Sequence, residues 1–260
     1  MLDNPTRDIV SVIRFIQYSL LIGIRRNRTM LRKSVYGLIV ATVVSAGLVF
    51  AGAQEADEAV GRLLEGNKRF VSGGLAQKDI GDARRKELAA GQHPAAIVVT
   101  CSDSRVPPEL IYDQGLGEIF VVRIAGNVFD PVGLGSVEYA AEHLHAPLLI
   151  LMGHDKCGAV AAAMEAKGKP EGNIGAIVAK ILPAVNKAKA KGGTKDEMLD
   201  AAVRENVLNS HAALLKQSPV LKHLIEKGEL SVVDAVYHLA SGDVELLPAG
   251  AAPAMKGHTH

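Results

Sequence analysis

With 260 residues, 48% of them apolar and 22% charged, the chain can bury a sizeable core without disulfides, which excludes a disordered or fibrous protein. Seven basic side chains fall in residues 1–53 against Asp3 and Asp8, so a formal charge of +1 hides a mildly acidic remainder. There is no basic stripe with interleaved aromatics, and nucleic-acid binding is left without support.

At the start of the chain, Met30, Arg32 and Lys33 precede an apolar run from Val35 to Phe50 that ends in Ala51-Gly52-Ala53. A basic segment, an apolar stretch short for a bilayer crossing and small residues at a cleavage position make up a signal peptide. Residues 30–53 are therefore expected to direct export, to the periplasm, with cleavage after Ala53. A second apolar segment, Ile9 to Ile24, carries Arg14 and Gln17 and lies upstream. Residues 1–29 read as an extension ahead of a true start at Met30. The alternative keeps both segments as membrane anchors, the uncleaved N-terminus then being the chain's one membrane contact.

Glu55 to Phe70 places Ala59, Leu63, Leu64 and Phe70 among charges at helical spacing and breaks at Gly73-Gly74, which predicts a helical arm lying on a neighbour. Three apolar runs follow: Ala95 to Thr100, Ile119 to Ile124 and Leu148 to Met152. Their continuous hydrophobicity suits strands covered on both faces, as in a parallel sheet. Residues from Ala159 to Gly228 are rich in Ala, Lys and Leu, with breaks near Gly172 and Gly192, and predict several helices. A last run, Leu230 to Leu239, turns at Ser241-Gly242-Asp243 into a returning edge strand, Val244 to Leu247. The expected fold is α/β, with a mainly parallel central β-sheet flanked by helices, an N-terminal helical arm and an edge strand at the C-terminal end. It forms one domain over residues 54–248, followed by a flexible tail over 249–260.

The chemistry-bearing residues stand at strand ends. Cys101 follows the first apolar run, and His154 and Cys157 follow the third. In an open α/β sheet, ligand sites assemble at the carboxyl ends of strands. His154-Asp155-Lys156-Cys157 lets imidazole and thiolate converge from the start of a helix, and Cys101 arrives from the neighbouring strand. Two sulfurs and one nitrogen suit zinc, and three protein ligands leave a fourth position open for catalysis. The alternative is a disulfide, which an exported location permits, but a disulfide needs neither His154 nor the residues around Cys101. In Cys101-Ser102-Asp103-Ser104-Arg105, the guanidinium of Arg105 can hold Asp103 ionised and oriented toward a metal-bound water. The competing reading of that pair is an ordinary loop salt bridge.

Cys101-Ser102-Asp103-Ser104-Arg105-Val106-Pro107-Pro108-Glu109 and Gly153-His154-Asp155-Lys156-Cys157-Gly158 together resemble the two signature segments of the β-class carbonic anhydrases. The likeness continues through Arg123-Ile124-Ala125-Gly126-Asn127 and spans Leu63 to Leu247. It implies reversible hydration of carbon dioxide to bicarbonate and a proton by zinc-bound hydroxide, with one zinc per chain on Cys101, His154 and Cys157. The resemblance also implies a glutamine donor and aromatic walls around the substrate, at Gln92, Phe120 and Tyr139. The aromatics would lie near a subunit interface, which makes a homodimer the smallest active unit expected. Without the resemblance, each aromatic reads as core.

Some members of that class shut the zinc site with the aspartate and hold bicarbonate beside a tryptophan three residues before the first cysteine. Here that residue is Val98 and the chain has no Trp, so an open site is expected. His93, His143, His145, His211, His223 and His238 stand singly and are not assigned to zinc, nor are His258 and His260; His238 is a candidate for passing protons to buffer. Two other functions fit the same motifs: hydrolysis of carbon disulfide or carbonyl sulfide, and a non-catalytic zinc or bicarbonate sensor. Retention of Asp103, Arg105 and all three ligands speaks against the sensor.

Overall fold

A computed structural model of the chain describes residues 52–248 except Lys169 and Glu171. The upstream extension, all but the last two residues of the expected signal peptide, and the tail lie outside the described residues. Five strands, β1 (Ala96–Thr100), β2 (Ile119–Arg123), β3 (Leu148–His154), β4 (Ser231–Tyr237) and β5 (Val244–Leu246), form one sheet of order β2-β1-β3-β4-β5. The first four run parallel, and β5 returns antiparallel along β4 as the edge. The helices are α1 (52–72), α2 (Asp82–Ala89), α3 (Pro108–Ile111), α4 (Pro131–Glu142), α5 (Gly158–Glu165), α6 (Ile174–Lys191), α7 (Lys195–Gln217) and α8 (Pro219–Glu226). Among the described residues, none of them is long and apolar enough to cross a membrane.

Every residue of β1 and β3 is buried, so both faces of the sheet's centre need a cover. Successive strand residues point to opposite faces, and the strands accordingly feed two cores. Ile97, Val99, Leu149 and Leu151 meet Val137 of α4, Ile181 of α6 and Val207 of α7. On the other face, Ala96, Val98, Leu148 and Ile150 meet Ile111, Tyr112 and the α1 residues Ala56, Ala59 and Leu63. Burial of a side chain such as Leu149 or Ile150 contributes about 1.5–3 kcal/mol.

Helix α1 corrects one expectation. The apolar stripe read from the sequence as lying on a neighbour instead covers the chain's own sheet. Gly66 permits the approach, since a Cβ there would stand 1.8 Å from the carbonyl oxygen of Tyr112. The buried Asn67 then fixes it. Its Nδ2 donates to Ile111 O (3.1 Å) and Gly242 O (2.8 Å), and its Oδ1 accepts from Val244 N–H (3.0 Å).

Topology places the site. From β1 the chain moves outward to β2, whereas from β3 it moves the opposite way to β4. The carboxyl ends of β1 and β3 therefore flank a topological switch point, where crossovers diverge and leave a crevice.

Candidate metal centre

Cys101 is the first residue beyond β1, whose end is tied to β3 by Thr100 Oγ1 donating to Met152 O (2.8 Å). Strand β3 runs two residues past its expected end, because Gly153 and His154 pair with Val236 and Tyr237 of β4. Gly153 is required there, since a Cβ would meet Val207 Cγ2 of α7 at 2.7 Å. His154 is thus a strand residue, fully buried, with Nδ1 2.8 Å from Asp155 O. A carbonyl only accepts, so Nδ1 carries the proton and Nε2 presents its lone pair. The chain then turns through Lys156 (φ 48°) and delivers Cys157 to the N-cap of α5.

The ligand atoms of Cys101, His154 and Cys157 all lie within 4.8 Å of one another, and all three residues are buried. Both cysteines are free, so the disulfide alternative is not what this structure forms. His154 Nε2 is buried without a hydrogen-bond partner. An unpaired buried acceptor costs free energy unless something fills its lone pair, and here the lone pair sits beside two sulfurs.

Electrostatics agree with a cation between them. The Cys101 thiol is held well below its usual range, chiefly by the neighbouring Cys157 thiol and with help from the Gly126 N–H, against the opposing effect of burial. Cys157 is pushed up, by its bond to Cys101 and then by burial, although the Ala159 and Val160 N–H groups favour its thiolate. Both sulfurs can be thiolates together only beside compensating positive charge. Two thiolates and one imidazole lone pair are the soft donor set of a zinc site with one position left over, so these residues fit the metal.

Around this centre, Arg105 grips Asp103 at two points, Nε to Oδ1 (2.9 Å) and Nη2 to Oδ2 (2.7 Å), and its backbone N–H adds a third bond to Oδ1 (3.0 Å). The side-chain bond from Arg105 holds the Asp103 carboxyl well below the usual carboxylate range. Asp103 Oδ2 lies 3.9 Å from His154 Nε2, so the carboxylate faces the metal ligands. Sequence reasoning passed over Gly126, whose N–H donates to Cys101 Sγ at 3.2 Å. Its φ of 70° is glycine territory, and the Ala-Gly-Asn punctuation just after a strand was the available signal. Helix α7 secures this turn through Asn206 Nδ2 to Gly126 O (2.6 Å) and Ser210 Oγ to Asn127 O (2.9 Å).

Gln92, Phe120 and Tyr139 do not reach the centre within one chain. They gather elsewhere: the Phe120 and Tyr139 rings are 6.3 Å apart, and Gln92 and Tyr139 share a surface depression with His143. Phe120 pairs with Ile97, four residues before Cys101, or ~13 Å of strand. Among the other described histidines, His93, His143 and His145 line that same depression. His211 Nδ1 meets the buried Asp234 (2.9 Å), while His238 stands between Glu245 (3.0 Å) and Asp155 (3.7 Å).

A family model described as carbonic anhydrase matches residues 96–244, from the first residue of β1 to the first of β5. Carbonic anhydrase 2 of Mycobacterium tuberculosis is 41% identical over 184 residues, covering 69% of this chain and 87% of that protein. The chain belongs to the β-carbonic anhydrase family. Among solved β-carbonic anhydrases, the Coccomyxa enzyme superposes with a TM-score of 0.60 at 29% identity, covering 64% of this chain and 78% of that one. A tetrameric β-carbonic anhydrase from Sordaria macrospora gives 0.58 at 25% identity, with 63% and 85% covered. In this β-carbonic anhydrase chain the two motif segments stand at the carboxyl ends of β1 and β3, the second beginning within β3 itself.

Proposed function

We propose that this chain catalyses the reversible hydration of carbon dioxide to bicarbonate and a proton, with one zinc ion held by Cys101, His154 and Cys157. The observation that carries the reading is the His154 Nε2 lone pair, buried without a partner beside two free cysteine sulfurs. Bound there, zinc supplies an acidified water that is nucleophilic at neutral pH, a property known from carbonic anhydrases whose zinc has three histidine ligands.

The chain's own residues do the rest. Asp103, kept ionised by Arg105, can accept but not donate at Oδ2. An O–H group presented beside the three ligand residues would therefore donate to Asp103 and be oriented by it. The N–H groups at the start of α5 and at Gly126 support negative charge on the sulfurs from outside.

Gln92, Phe120 and Tyr139 are assigned to the substrate wall of a second copy's site, since Phe120 stands ~13 Å of strand before Cys101, Tyr139 packs beside Phe120, and Gln92 shares a depression with Tyr139. Tyr139 is 47% exposed and Val132, on the same helix, 78%, which favours a covered face and a homodimer or higher assembly. Carbon dioxide is favoured over carbon disulfide or carbonyl sulfide because the relatives described above are carbonic anhydrases. Residues 30–53 support export to the periplasm; N-terminal sequencing of the exported protein tests it, Gln54 at the start being the expected result.

Stopped-flow hydration of carbon dioxide by the zinc-loaded full chain, beside Cys157→Ser, tests the activity. Fast hydration that Cys157→Ser abolishes together with zinc binding is expected. A zinc-replete wild type that hydrates no faster than buffer would refute the assignment.

A further inference from the structure

Arg123 closes β2. It stands opposite Thr100 in the ladder, and the next N–H, that of Ile124, makes the final main-chain bond to Thr100 O (3.0 Å). Beyond Thr100 the segment bearing Cys101 and Asp103 leaves the sheet, and its carbonyls lose the acceptor role that a ladder provides. Arg123 supplies donors instead, joined at Asp103 O by the Val106 N–H (3.0 Å). Its Nε reaches Cys101 O at 3.2 Å and its Nη2 reaches Asp103 O at 2.5 Å, so one guanidinium spans both sides of Ser102. A guanidinium gains most from a carboxylate, yet the nearby carboxylate of Asp103 is taken by Arg105. The two arginines divide one residue: Arg105 holds the side chain of Asp103 and Arg123 its main chain.

We propose that Arg123 is a positioning residue, a two-point clamp that fixes the Cys101 sulfur against His154 and Cys157 and aims the Asp103 carboxylate at the same spot. Together with the Gly126 N–H on Cys101 Sγ, it makes the end of β2 the outer support of the metal loop. The guanidinium is a fork with rigid spacing, and both of its bonds are made to groups that a peptide loop presents in any sequence. Its contribution is therefore geometric. A lysine in its place presents three rotatable donors on a single atom, without the fixed spacing of the fork.

The inference rests on the zinc reading above, and its test separates the two. Full-chain Arg123→Gln and Arg123→Lys are compared with wild type for zinc affinity, by competition with a chromophoric chelator, for kcat and KM of carbon dioxide hydration, and for the thermal midpoint. Arg123→Gln is expected to weaken zinc binding and lower kcat by about tenfold each, the usual scale for groups that orient a metal ligand, with KM nearly unchanged. Arg123→Lys recovers part of both losses. Wild-type zinc affinity and kcat in Arg123→Gln overturn the clamp, as does a rise in KM alone, which would mean contact with substrate. A lowered midpoint with unaltered zinc affinity also overturns it. If Arg123→Gln does not fold, Arg123→Lys decides, and wild-type values there count against the two-point geometry. If wild type binds zinc without hydrating carbon dioxide, the functional reading fails while chelator competition still reads the clamp.

Discussion

At the scale of single residues, Asp103 is the pivot. Its two oxygens are occupied by Arg105 and its carboxyl is kept ionised, so swinging onto the metal would first have to break a bidentate ion pair. Val98, where some relatives of this class have tryptophan, is buried in the core beneath α1. Zinc X-ray absorption at pH 8 is therefore expected to show two sulfurs, one imidazole and a solvent oxygen, and a carboxylate oxygen from Asp103 in the fourth place is the result that contradicts it. The cluster of Cys101, His154 and Cys157 was legible in sequence, because Cys101 followed one apolar run and the His154-x-x-Cys157 pair another. Less visible was that His154 still belongs to β3: a polar residue after Gly153 reads as loop until its pairing with Tyr237 is seen. Gln92, Phe120 and Tyr139 could be matched by offset, but an offset carries no distance: Phe120 stands ~13 Å of strand before Cys101, and Tyr139 packs beside Phe120.

At the scale of elements, the docking of α1 turns on one amide. Asn67→Ala removes the donor for two buried carbonyls and the acceptor for the Val244 N–H, joining α1 to α3 and to the β4–β5 turn no longer. The expected cost is about 2–4 kcal/mol, since groups left unpaired at such a site cost about 1–3 kcal/mol each and some recover water. Urea unfolding measures it, and a loss under 0.5 kcal/mol on the scale of an ordinary surface change would contradict this role. The helix was legible from its spacing. Its destination was not, because the stripe of Ala59 and Leu63 demands an apolar cover without saying whose, and the deciding bonds reach up to 177 residues along the chain.

For the whole molecule, the parallel sheet and its antiparallel edge were readable because continuous apolar runs leave few other arrangements. What closes that edge was not readable. Arg204 of α7 pairs bidentately with Glu245 of β5 (2.7 and 2.8 Å), and His238 adds a bond from the other side. The bond from Arg204, helped by His238, draws the Glu245 carboxyl down from 4.5 to about 2. A lowered carboxyl gives stability that is complete above its unfolded value and lost as pH falls toward its folded one. Glu245→Gln is therefore expected to be less stable than wild type at pH 7, and the gap should close between pH 4.5 and about 2. Denaturant midpoints across that range measure the gap, and one that stays constant down to pH 2 argues against the assignment.

The switch point between β1 and β3 has a thermodynamic consequence. Cys101 and the His154–Cys157 pair are neighbours only after two strands distant in sequence have paired, so the unfolded chain holds no equivalent binding site. An ion that binds only the native form shifts the folding equilibrium by mass action, about 1.4 kcal/mol for every tenfold rise in free metal above Kd. With zinc bound as proposed, loading the centre and completing the fold would be a single linked equilibrium, in which metal supply helps to set how much of the chain is native.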